Sequence, residues 1–160
     1  MNDFFLNNSI ENKIKHIWQI LETVCDPEVP VLSILDLGIV RKVEINEDVE
    51  ITITPTYTGC PAMDMIAMNI RLILIENGVK NIKIITTLSP AWTTDWMTDN
   101  GKKKLKEYGI APPKGNATSI ATNGVECPQC NAMDTILISE FGSTACKARS
   151  EERRVGKECA

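Results

Sequence analysis

Apolar and polar residues change period several times along this chain, and the changes mark out its elements. Ile10, Ile14, Ile17, Trp18, Leu21 and Val24 recur at helical spacing, with Glu11, Lys13, Lys15 and Glu22 on the other face. Asn8 with Glu11 three residues on resembles a capping box, so a first helix is expected from there to about Cys25. It should stop there because Asp26-Pro27 biases the backbone away from helical angles. Leu35-Asp36-Leu37-Gly38 reads as a turn. Ile39 to Ile45 reads as a strand with Lys42 and Glu44 outward and Val43 and Ile45 inward, Val49 to Ile53 alternates strictly, and the short polar Asn46-Glu47-Asp48 joins these two strands as a hairpin. After Pro61 the period becomes helical: Ala62, Met63, Ile66, Ile70 and Leu74 mark a second helix to about Asn77, with Gly78 as its stop. Ile82, Ile84 and Ile85 predict a third strand, parallel to the second because a right-handed helical crossover links them. Asp95 to Tyr108 reads as a third helix with Met97, Leu105 and Tyr108 inward. The class is α/β (α+β), a small three-stranded mixed sheet packed with helices in the order α-β-β-α-β-α.

The pattern lapses between 109 and 124, a stretch rich in Pro, Gly, Asn and Ser that includes Pro112-Pro113. It is expected to be a linker closing a first domain at 8–108. Beyond it, Cys127-Pro128-Gln129-Cys130 precedes the strand-like Thr135-Ile136-Leu137-Ile138-Ser139. A C-x-x-C knuckle before a strand is half of a zinc ribbon, here residues 125–148. A structural site needs four donors, and the expected second pair does not arrive at that spacing. Cys146 and Cys159 are the candidates left.

Composition narrows the function classes. A chain of 160 residues with 43% hydrophobic residues can bury a core, and no apolar run is long enough to span a membrane. The start, Met1-Asn2-Asp3-Phe4-Phe5-Leu6, lacks the features of a secretory signal, so a cytoplasmic protein with no membrane partner is expected. A net charge of −4 argues against nucleic acid as a partner. The six cysteines are then thiols or metal ligands rather than a disulfide framework. The single histidine, His16, reads as a solvated helix residue, so a thiol enzyme built on Cys60 would lack a base.

The candidate chemistry centres on Thr54-Pro55-Thr56-Tyr57-Thr58-Gly59-Cys60-Pro61, where strand turns into helix. At a helix N-terminus, unpaired N–H groups and the positive end of the dipole favour a thiolate, the form that binds metals. The plainer reading of Cys60 is a small residue needed for close packing. Asp26-Pro27-Glu28-Val29-Pro30 is an acidic loop stiffened by prolines. Its two carboxylates could face a metal or partner near Cys60; alternatively Asp26 caps a turn and Glu28 sits in water. Thr56 and Thr58 would offer hydroxyls to the same site. One thiolate per monomer cannot fill four cluster positions, so a homodimer or a client must supply the others.

Asp26-Pro27-Glu28, Leu35-Asp36-Leu37-Gly38-Ile39-Val40, Thr54-Pro55-Thr56 and Cys60-Pro61 together resemble the small iron–sulfur assembly domain family, over roughly the first two thirds of the chain. Ser89-Pro90-Ala91-Trp92-Thr93-Thr94-Asp95-Trp96, the C-x-x-C pair and Ser139 to Ala148 are similar to the PaaD-type subunits of phenylacetyl-CoA epoxidase systems. That resemblance implies an accessory, maturation role in aerobic phenylacetate degradation by bacteria. The oxygenase and reductase subunits would be partners, and zinc or an iron–sulfur cluster the cofactor of an intact C-terminal module. A docking role without metal chemistry is the other one it allows. The likeness stops after Ala148, where the family continues with a second cysteine pair. Residues 149–160 resemble a translated sequencing adapter and are expected to be foreign to the fold. Cys127, Cys130 and Cys146 would then form an incomplete site holding no metal tightly.

Overall fold

A computed structural model of the protein describes residues 9–113, 125–139, 142, 147 and 149–152. The chain divides into two compact units, Met1–Thr98 and Asp99–Ala160. The composition break at 109 lies further along than this division.

The first unit opens with helix α1, Ile10–Leu21. Its N-cap is Ser9, whose hydroxyl accepts from the Asn12 N–H at 3.4 Å, one residue after the expected Asn8. Ile17, Ile20 and Leu21 are buried, but Ile10, expected on the inner face, is 58% exposed in the first turn. Strands β1 (Val40–Ile45) and β2 (Val49–Ile53) pair antiparallel, with Val43 opposite Ile51. Helix α2 (Ala62–Glu76) leads to β3 (Ile82–Thr86), which pairs parallel with β2 in the order β1-β2-β3. The crossover is the one the period change predicts: odd positions of β2 point to the helices, and Ile51 and Ile53 are fully buried with Ile66, Ile70 and Leu74 of α2. The other sheet face is polar. Across it Lys83 bonds Glu50 at 2.6 Å, and that hydrogen bond, helped by the Glu50 charge, raises the Lys83 pKa above its usual value.

After β3 the chain makes a 3-10 turn at Thr94–Trp96 and breaks at Met97, which is extended and buried. The expected helix from Asp95 therefore starts later, as α3 at Asp99–Glu107 in the second unit. The cause is tertiary: the Thr98 N–H donates to the Asp36 carbonyl at 2.9 Å, which a helix through Thr98 would forbid. Leu105 is buried as expected, while Tyr108, expected inward, is 52% exposed.

The second unit also holds β4 (Thr135–Ser139), paired antiparallel with β5 (Arg149–Glu152). Its partner strand thus comes from the first residues of the segment expected to stand outside the fold. Most of the expected linker and the end of the tail lie outside the described residues.

Candidate functional site

Three connections leave the same end of the sheet, because Val40, at the start of β1, and Thr86, at the end of β3, both pair with Ile53, at the end of β2. They are the turn before β1, the Thr54 to Pro61 loop after β2, and the segment after β3. In open α/β sheets the crevice beyond the carboxyl ends of the strands is where ligands bind. A ladder of backbone bonds ties these connections together: Ile34 N–H to Val24, Ile39 N–H to Ile34, Thr54 N–H to Ile39 and Thr87 N–H to Ile53, all 2.9–3.0 Å.

The turn before β1 works as a clamp. Asp36 is 5% exposed, and its carboxylate accepts from the Ser33 N–H at 3.2 Å and the Thr98 hydroxyl at 3.0 Å. The Ser33 hydroxyl accepts in return from the Asp36 N–H at 3.0 Å. The Leu37 carbonyl takes the Trp92 indole N–H at 2.8 Å. Gly38 has φ +67, and a Cβ there would overlap the backbone of Trp96. The Arg41 guanidinium stacks 3.4 Å from the centre of the Trp96 ring. Leu35-Asp36-Leu37-Gly38 and the Trp92 to Thr98 segment are thus two halves of one device, which holds the post-β3 chain against the sheet end.

Cys60 lies one residue before Pro61, the N-cap of α2, and is half-buried. Gly59 (φ +81) turns the chain into that helix. The Cys60 N–H donates to Tyr57 and its carbonyl accepts from Met63, both at 3.3 Å, which fixes its backbone. Thr56 and Thr58 share a small open pocket of about 70 Å³ with Thr54, Pro55, Tyr57, Leu88, Ala91 and Trp92. The Thr54 hydroxyl is buried without a hydrogen-bond partner.

Asp26 is a turn cap: one carboxylate oxygen accepts from the Glu28 and Val29 N–H groups, each at 2.8 Å. Glu28 is half-buried and engaged in an interaction of its own. Among the described residues no three His, Cys, Asp or Glu side chains stand close enough to hold a metal ion. Cys60, Asp26 and Glu28 are therefore not a ready three-ligand site within one chain. His16 is half-buried and has an interaction, rather than lying free in solvent.

In the second unit the C-x-x-C segment is a closed turn. The Cys127 N–H donates to the Ala132 carbonyl and the Asn131 N–H to the Cys127 carbonyl, both at 2.9 Å, with Asn131 at φ +58. Cys127 is half-buried and Cys130 exposed, and neither forms a disulfide. Two thiols in a preformed turn suit half of a tetrahedral zinc site, and the described donors do not complete it. Cys146 lies outside the described residues.

Residues 14–84 match the model of the iron–sulfur cluster assembly protein family. A Porphyromonas gingivalis protein named Fe-S protein maturation auxiliary factor is 36% identical over 62% of this chain and 97% of its own length. The chain belongs to the iron–sulfur cluster assembly family. Residues 111–150 match the PaaD zinc β-ribbon domain. An Escherichia coli (strain K12) protein, provisionally named as one of the subunits of 1,2-phenylacetyl-CoA epoxidase, is 47% identical over 85% of this chain and 84% of its own. A Bacillus anthracis domain of unknown function has a crystal structure that superposes with a TM-score of 0.56 at 30% identity, over 59% of this chain and 92% of that one. The matched assembly region spans the turn before β1, the Cys60 loop and the crossover helix, and ends before the Trp92 to Thr98 half of the clamp. No described helix is long and apolar enough to cross a membrane.

Proposed function

We propose that this protein is a cytoplasmic accessory subunit of a phenylacetyl-CoA epoxidase system that assists assembly of an iron–sulfur or other metal centre on its oxygenase or reductase partners. The likeness to an epoxidase subunit and to maturation auxiliary factors supports this reading. The observation that carries it is Cys60, a half-buried thiol on a fixed backbone where β2 hands over to α2. The cluster is cargo in this reading. Cys60 supplies one soft ligand, Thr56 and Thr58 line the adjoining pocket, and the client or a second copy supplies the other ligands. Asp26 acts by shaping its own loop.

The test is epoxidase activity in cells whose only copy carries Cys60→Ser. Activity is expected to fall at least ~10-fold, since loss of a cluster-carrying ligand interrupts transfer. Unchanged activity would end the thiolate role and leave a docking role, in which the protein co-purifies with the oxygenase at fixed stoichiometry.

A further inference from the structure

Helix α2 is apolar on two opposite faces. Ala62, Met63, Ile66, Ile70 and Leu74 are buried against the rest of the first unit. Diametrically across the helix, Met65, Met68, Leu72 and Ile75 form a second stripe, exposed by 53, 58, 50 and 53%. Their spacing of three, four and three residues is the a/d repeat of a coiled-coil seam, narrower than the face a helix lays on a sheet. Asp64 and Arg71 flank the seam on one side, and Asn69 and Glu76 on the other. A helix apolar on both faces is ordinarily covered on both.

We propose that the second face is covered by a second copy of this chain, with the two α2 helices side by side and parallel. In heptad terms Arg71 is a g residue and Glu76 the following e residue, the separation at which parallel helices exchange salt bridges. A parallel pair thus forms two Arg71–Glu76 bridges between copies and sets each Asp64 beside the other copy's Asn69. Antiparallel pairing of the same four seam residues brings the two Arg71 side chains together instead. Charge therefore selects the parallel arrangement. A parallel pair also places both helix N-termini, and so both Cys60 residues, at the same end. If the Proposed function holds, a cargo cluster there meets one thiol from each copy. Self-association itself does not depend on that reading.

Two heptads predict a dimer with a roughly micromolar dissociation constant. Sedimentation equilibrium of the full chain at about 100 µM, well above such a constant, tests it. The expected result is a dimer that Leu72→Glu converts to a monomer, weakening association ~100-fold or more by placing a charge in the seam. Met68→Glu is the second seam variant, and either is scored only with an unchanged melting curve. Arg71→Glu and Glu76→Arg are each expected to weaken association roughly 3–10-fold, and the double exchange R71E/E76R to restore it. A monomeric wild type, a dimer untouched by both seam variants, or a double exchange that fails to restore association would each overturn the proposal. None of these outcomes depends on Cys60 or on epoxidase activity.

Discussion

The two units of this protein differ in how much apolar surface their described residues bury. In the first, Ile17, Leu21, Ile34, Ile51, Ile53, Ile66, Ile70 and Leu74 are buried to 0% exposure on one side of a sheet. In the second, Leu105 is the one large apolar side chain buried among the described residues, and Ile136, Leu137 and Ile138 of β4 remain 38–47% exposed. Where the described residues of a small unit bury so little apolar surface, another source of stability is expected, and a metal clip is the usual one.

The largest effect that would sharpen this contrast is on the second unit. A variant whose residues 151–160 are replaced by a segment with a second C-x-x-C pair is expected to bind one zinc per chain. Structural zinc sites contribute about 10–16 kcal/mol to the folding of such modules. The present chain is expected to hold well under one zinc after dialysis. Metal analysis together with amide exchange over residues 125–139 reads both, and a full zinc retained by the present chain would break the comparison.

Next comes the same kind of truncation in both units. Ile70→Ala should cost about 2–5 kcal/mol in urea unfolding, by transfer loss and cavity formation. Leu137→Ala, at a position 39% exposed, should stay within about 0.5 kcal/mol. Comparable losses would mean that the second unit has a core after all. Asp36→Ala should cost about 1–3 kcal/mol by orphaning the buried Ser33 N–H and freeing the Thr98 hydroxyl, and should raise amide exchange across 92–98. The smallest effect is on the polar sheet face. The Lys83 pKa is raised, so whatever the Glu50–Lys83 pair adds is present below pH 10.5 and fades as pH rises through the higher folded value. Both groups touch solvent, so Lys83→Met should leave the melting temperature at neutral pH within error.

Much of the first unit is legible in the sequence because its information is local. Alternation over Val49–Ile53 and the helical period after Pro61 place β2, α2 and the loop carrying Cys60, and the helical crossover implies the parallel β3. What escapes is long-range or two-sided. Asp36 meets Thr98, 62 residues away, and Trp92 meets Leu37, 55 away, and no local pattern announces either bond. The same contact is why a helix expected from Asp95 starts at Asp99. The carboxylate of Asp26 fits ligand or cap by its spacing, and the cap is seen only in the two N–H groups that one of its oxygens accepts. The Met65, Met68, Leu72, Ile75 stripe stands in plain sequence, but the inner face of α2 fits the helical period equally well and masks it. In the second unit the C-x-x-C turn is readable, whereas its pairing strand at Arg149–Glu152 falls in a segment whose residues resemble an adapter.

In the proposed role, the Cys60 thiol is the point of contact with the cargo. The most direct measurement is the iron content of the epoxidase reductase purified from cells expressing Cys60→Ser protein at the normal level and with an unchanged melting curve. Iron in the client should fall several-fold while Cys25→Ser, the other thiol of the first unit, leaves it unchanged. A fully loaded client in the presence of Cys60→Ser would contradict the account.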